Sequence, residues 1–226
     1  MSQLTSIISL KLKICVSALF LFSVPSWGQQ DLVPITKKTL EAFKKITAYE
    51  KVQSSLQRII ETESDTVQEQ FRITEIPAPP FKEQERAAYY LEQMRARGLH
   101  NAYLDAVGNV IGIRKGTGEG PIFLISAHLD TVFPEGTDTT VKLRGGRYYA
   151  PGIGDDTRGL AALLSLIATL NASGIETIGD VIFAGNVGEE GTGDLRGIKA
   201  IFNDNPSIDG YVSIDGTLLR RVTNGG

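Results

Sequence analysis

The sequence predicts an α/β fold, a mixed central β-sheet flanked by helices. Three observations carry this. Short apolar runs of strand length alternate with longer segments of helical periodicity. Glycine-bearing turns join two pairs of the short runs as hairpins, so the sheet is not wholly parallel. The composition is globular: 226 residues, 42% of them hydrophobic, are enough to bury one substantial core.

The elements follow in order. Met1–Lys13 holds Lys11 and Lys13 and no acid, and Ile14–Val24 is an apolar run too short to cross a membrane. Pro25–Gly28 then offers small residues for a cut after about Gly28, completing the order of a secretory signal peptide over residues 1–28. The expected mature chain is secreted or periplasmic and has no membrane span. It loses the sole cysteine, Cys15, and with Lys11 and Lys13 removed its formal charge moves from −3 to −5. The basic residues are scattered, which argues against a nucleic-acid partner.

Residues 29–74 read as a polar helical segment, with Leu40, Phe43 and Ile46, then Leu56, Ile59 and Ile60, at helical spacing. Ile76–Pro80 must be a loop. A helix follows with Ala87, Ala88, Leu91 and Met94 on one face, Arg95 and Arg97 in its last turn, and Gly98 at its end. Residues 102–106 and 110–114 read as strands around Gly108-Asn109. Pro121–Ala127 is a buried strand, and residues 141–143 and 147–150 flank Gly145-Gly146 as a second hairpin. Residues 157–170 form a helix with Leu160, Leu163, Leu164, Ile167 and Leu170 on one face. Strand 180–186, a short helix over 195–202 and strand 210–214 complete the pattern.

Three of the buried-looking strands run into residues of metal-binding type. The first ends in His128-Leu129-Asp130, the second leads to Glu189-Glu190, and the third reaches Asp215. A fourth group, Asp155-Asp156, precedes the Leu-rich helix. In open α/β sheets ligands bind beyond the carboxyl ends of the strands. Imidazole and carboxylate donors suit zinc, a carboxylate can bridge two metals, and a spare carboxylate can take a proton from water. Each piece alone has an ordinary structural explanation. Asp155 or Asp156 would cap the helix, Glu189-Glu190 would be a solvated loop, and Asp215 would start a turn. Their shared placement at strand ends and a helix start favours a site.

The run Ser126–Val132 resembles the HxDTV motif of the M20 family of metallopeptidases. Pro151–Gly159 is similar to that family's glycine-rich segment, Gly188–Gly191 to its paired glutamates, and Ser213–Gly216 to its next ligand position. The resemblance implies a di-zinc exopeptidase-like catalytic domain over residues 75–226, with two zinc ions per complete site. It implies His128, Asp155, Glu190 and Asp215 as metal ligands, with Asp155 bridging. It implies Asp130 as the carboxylate that orients His128, Glu189 as general base, and a cis peptide at Asp155-Asp156. The M28 aminopeptidases share the layout, but the HLDTV run and Asp155-Asp156 favour M20.

The chain departs from the family in one count. It has two histidines, His100 and His128, and His100 follows a helix end away from every motif. The family supplies a further zinc-binding histidine near its C-terminus and inserts a smaller domain used for dimerisation, so a homodimer would form through a domain not in this chain. The expectation is a catalytic part that stops before this lid domain, holding zinc weakly and turning over little by itself. The resemblance implies a zinc-dependent exopeptidase acting on short peptides. An N-acyl-amino-acid deacylase would show the same motifs, and a non-catalytic binding protein is the reading from another class.

Overall fold

A computed structural model describes residues 35–216. The expected leader, residues 1–28, lies outside the described residues. The chain divides after Phe43, and the larger unit begins at Lys44.

The N-terminal segment forms three helices: α1 (Lys37–Thr47), α2 (Glu50–Glu61) and α3 (Glu63–Glu75). The helical spacing is realised, but the apolar stripe that signalled it is not buried. Leu40, Phe43, Ile46, Leu56 and Ile60 are exposed, and Ile59 is half-buried. The residues of α2 and α3 that are buried include Ser55, Thr66, Glu69, Ile73 and Thr74. The three hydroxyls donate within their own helices, to Lys51 O at 2.6 Å, Thr62 O at 3.1 Å and Gln70 O at 2.7 Å. A polar helix face can be buried when its hydroxyls are satisfied that way.

Helix α4 (Gln84–Ala96) buries Arg86, Ala87, Tyr90 and Met94. Ala88, expected on that face, is exposed, and Leu91 is half-buried. Tyr90 and Arg86 turn the buried stripe away from them. Tyr90 earns its place by donating its hydroxyl to Leu160 O at 3.0 Å.

The central sheet contains β1 (Tyr103–Leu104), β2 (Val110–Arg114), β3 (Ile122–His128), β6 (Val181–Asn186) and β7 (Ile208–Ser213), in the order β1-β2-β6-β3-β7. The pairs β1/β2 and β2/β6 are antiparallel, and β6/β3 and β3/β7 are parallel, so the sheet is mixed as expected. Strands β4 (Lys142–Arg144) and β5 (Arg147–Tyr149) form a separate hairpin. β1 is shorter than the sequence suggested. The Asp105 carboxylate accepts the N–H groups of Val107, Gly108 and Asn109 at 3.0, 2.9 and 2.8 Å, curling the chain into its turn early.

Both faces of the sheet are covered around its central strand β6. On one lie α4, α3 and the long helix α5 (Thr157–Ser173), whose Leu160, Leu163, Leu164 and Ile167 meet Ala127, Leu129 and Phe183. On the other, α6 (Arg196–Asp204) sets Ile198 and Ile201 against Leu124, Ile182 and Ala184. Every residue of β6 is therefore buried, and its sequence is a continuous apolar run rather than an alternation.

Candidate metal centre

β6, β3 and β7 are adjacent and parallel, so their carboxyl ends open on one rim. β3 is the middle strand and ends in His128. The loop after β6 brings Glu189 and Glu190 to one side of it, and the chain leaving β7 brings Asp215 to the other. The long excursion from β3 to α5 returns Asp155 and Asp156 to the same rim, joined by a cis peptide bond.

His128 is buried and surrounded by acceptors. Its Nε2 lies 2.9 Å from Asp155 Oδ1 and 3.7 Å from Asp215 Oδ1. Its Nδ1 lies 2.9 Å from the backbone carbonyl of Asp130. A carbonyl can only accept, so Nδ1 carries the proton and Nε2 is the nitrogen turned to the carboxylates. The donor atoms of His128, Asp155 and Glu190 lie within 4.8 Å of one another, and those of His128, Asp156 and Asp215 do so as well.

The two neighbouring aspartates have different work. Asp155 is half-buried, and its Oδ1 faces the imidazole. Asp156 is buried, and its oxygens are already used: Oδ2 accepts the His128 backbone N–H at 3.0 Å and Oδ1 accepts Gly159 N–H at 3.1 Å as the cap of α5. The capping role open to either residue in the sequence falls to Asp156. It ties the start of α5 to the end of β3 and thereby fixes the distance between Asp155 and His128.

Asp130 also works differently from expectation. Its carboxylate stands 3.6 Å from His128 Nδ1, farther than its own backbone carbonyl. The two oxygens accept the backbone N–H groups of Glu189, at 3.0 Å, and Glu190, at 2.9 Å. One residue thus orients the imidazole through its main chain and locks the paired-glutamate loop through its side chain.

The electrostatics follow from this crowding. Burial opposes a charge on His128, but the surrounding carboxylates of Asp130, Asp155 and Asp215 outweigh it and hold the imidazolium far above the usual histidine range. Burial pushes Glu189 and Glu190 up, aided for Glu189 by Asp215 and for Glu190 by Asp155. The His128 contact pulls Asp215 down. Burial strongly raises Asp156, with Asp215 adding to it. A group of carboxylates that draws a proton onto an imidazole would draw a divalent cation into the same place. One imidazole with three further carboxylates, His128 with Asp155, Glu190 and Asp215, is a donor set suited to zinc.

Several supporting residues carried no sequence motif. Gln70 of α3 donates to Ile153 O at 2.5 Å, and the hydroxyls of Thr74 and Thr157 meet at 2.7 Å. Gly152 in the same turn has φ +73°, and a Cβ there would stand 2.7 Å from Thr131 Cγ2. On the other side, Gly188 has φ +60° and lies flat against the Arg196 guanidinium, which pairs with Glu83 at 2.8 Å and covers the Phe81 ring at 4.7 Å. Arg86 is fully buried beneath the His128–Asp130 turn. A usable signal for Arg86 was in the sequence: a cation in the first turn of a helix is at the unfavourable end of the dipole and needs another reason to be there.

Residues 124–223 match the family model described as peptidase family M20/M25/M40, a span that holds every motif of the rim. This stretch is similar to the M20 family of peptidases. Members of the M20 family hydrolyse amide bonds. A Pyrococcus abyssi protein named as a LysW-lysine/LysW-ornithine hydrolase is 39% identical over 122 residues, which is 53% of this chain and 32% of that one. Carboxypeptidase G2 of Pseudomonas sp. is 33% identical over 84 residues, 36% of this chain and 20% of its own. Among solved structures, a tripeptidase from Staphylococcus aureus superposes with TM-score 0.57 at 25% identity, covering 68% of this chain and 43% of that one. The chain therefore spans about a third, or less, of the curated relatives named here, and the matched stretch is the part that holds the rim.

Proposed function

We propose that this chain belongs to a zinc-dependent exopeptidase of the M20 kind that hydrolyses short peptides outside the cytoplasm. The observation that carries this is the convergence of His128, Asp155, Glu190 and Asp215 at the ends of three adjacent parallel strands. His128 and Asp215 would hold one zinc and Glu190 the other, with Asp155 between them. Bound zinc would supply Lewis acidity toward the scissile carbonyl and toward water.

Glu189 is the group suited to move the proton. It is half-buried, and burial with its acidic neighbours raises its pKa, which brings a carboxylate nearer to the working pH of a base. Its backbone is held by Asp130, so its side chain starts from a fixed anchor. Glu189 would take a proton from the attacking water and return it to the departing amine. Asp130 and Asp156 would hold the two halves of the rim in register without touching substrate. Export is supported by the Met1–Gly28 pattern, and a peptide substrate by the solved tripeptidase with the same fold.

A second reading, an N-acyl-amino-acid deacylase, is favoured by the Pyrococcus abyssi relative, which is named a hydrolase rather than a peptidase. A substrate screen of the full-length protein with di- and tripeptides against acylated amino acids separates the two. The mechanism is tested in the same protein with two substitutions. Glu189→Gln is expected to abolish turnover with zinc retained, and Glu190→Gln to lose zinc. Normal turnover in Glu189→Gln would remove it as the base.

A further inference from the structure

Arg86 is a charged side chain with no solvent exposure, sitting in the first turn of α4. Fully buried arginines are rare unless paired. No carboxylate bonds this one among the described residues. Its three nitrogens reach two backbone carbonyls instead. Nε and Nη2 donate to Ile76 O at 3.0 and 2.6 Å, and Nη1 donates to Leu129 O at 2.7 Å.

The acceptors locate the purpose. Leu129 is the residue between His128 and Asp130, so its carbonyl is part of the turn that aims both. Ile76 opens the proline-rich loop, whose Ala78 carbonyl accepts Thr131 N–H at 3.0 Å on the far side of that turn. The planar fork therefore clamps the turn to the loop at a point one residue from each functional side chain. The buried Asp130 carboxylate lies close enough that its charge favours the guanidinium, while its oxygens remain on the Glu189 and Glu190 amides. Removing a guanidinium from water is costly, and an apolar side chain would fill the same space at lower cost to the fold. The charge and the fork geometry serve the turn.

We propose that Arg86 is a positioning residue for the metal centre, setting the His128–Asp130 turn so that His128 Nε2 and the Glu189-Glu190 loop meet a cation together. This rests on the reading of the rim as a metal site. A lysine at this position would keep the charge but lose the fork, because a single ammonium on a flexible stem cannot hold both carbonyls in the same geometry.

The test uses the full-length protein with Arg86→Lys and Arg86→Gln, each checked for native circular dichroism. Zinc affinity is measured by competition with a chromophoric chelator, and ligand geometry by the visible spectrum of the cobalt(II)-substituted protein. The expected result is a fall in zinc affinity of about tenfold or more, a shifted cobalt spectrum, and a kcat reduced about tenfold with KM within twofold. Folded variants with wild-type zinc affinity, cobalt spectrum and kcat would overturn the proposal, even with a lowered melting temperature. Failure of both variants to fold would overturn it too, since the guanidinium would then be holding the whole fold rather than the turn. A wild-type protein that binds neither zinc nor cobalt would instead sink the metal-site reading on which this one stands.

Discussion

Asp130→Asn probes the joint between the two halves of the rim. The wild-type carboxylate is fully buried and accepts two backbone N–H groups, from Glu189 and Glu190. Asparagine keeps one carbonyl oxygen, so one of the two bonds survives in neutral form. Its NH2 then faces the other N–H, which is left without an acceptor. A hydrogen bond to a charged group contributes about 1.5–3 kcal/mol. The expected destabilisation at pH 7 is about 2–3 kcal/mol, which lowers the melting midpoint of a chain of this size by roughly 4–12 °C. Burial works against the Asp130 charge, but His128 and the two amides outweigh it, so its folded pKa lies below 3.8. An acid whose folded pKa is depressed contributes stability above its unfolded pKa and loses it as pH falls through the folded value. The gap between wild type and variant should be level from pH 7 to about 5 and should narrow below pH 3.8. Urea unfolding followed by far-ultraviolet circular dichroism, with chelator present, measures both. A variant as stable as wild type, or a gap that does not change with pH, would refute the reasoning.

Three further outcomes are expected. Asp156→Ala removes the cap of α5 and the acceptor for His128 N–H, and should cost about 2–4 kcal/mol in the same unfolding experiment. Gly188→Ala places a Cβ 1.7 Å from Arg196 Nη1 at φ +60°, and should lower both melting temperature and zinc affinity in the full-length protein. An equal loss of melting temperature with unchanged affinity would show that the Arg196–Gly188 contact does not govern the glutamate loop. Zinc added to chelator-treated full-length protein should stabilise it by about 2.7 kcal/mol at a hundredfold excess over its Kd, and so raise the melting temperature in a concentration-dependent way. An unchanged midpoint at saturating zinc would count against the rim as a zinc site.

The comparison of sequence with structure is most instructive at particular residues. The gathering of His128, Asp155, Glu189, Glu190 and Asp215 at one rim was legible because short ordered motifs mark them and because they follow strand ends or precede a helix. The division of labour between Asp155 and Asp156 was not legible, because both are equally able to cap a helix and only backbone geometry chooses. The double duty of Asp130 was half visible. Its nearness to His128 is local, but its bonds to Glu189 and Glu190 span 59 and 60 residues of chain. The N-terminal helices were found from an apolar stripe that stays exposed, while a Ser/Thr-rich face is buried against α5. Periodicity reports that a helix forms, and satisfied hydroxyls decide which face it buries.

The sequence by itself determined the element types, the mixed sheet and the kinds of side chain at the rim, since these rest on local periodicity, turn chemistry and short motifs. Tertiary structure alone decided that β3 lies between β6 and β7, which is what sets His128 among the carboxylates of three separate loops. Strand order is a property of packing between segments distant in sequence, and no local pattern encodes it. The same holds for Arg86, whose two carbonyl partners lie 10 and 43 residues away and become neighbours only when the sheet and α4 close on each other.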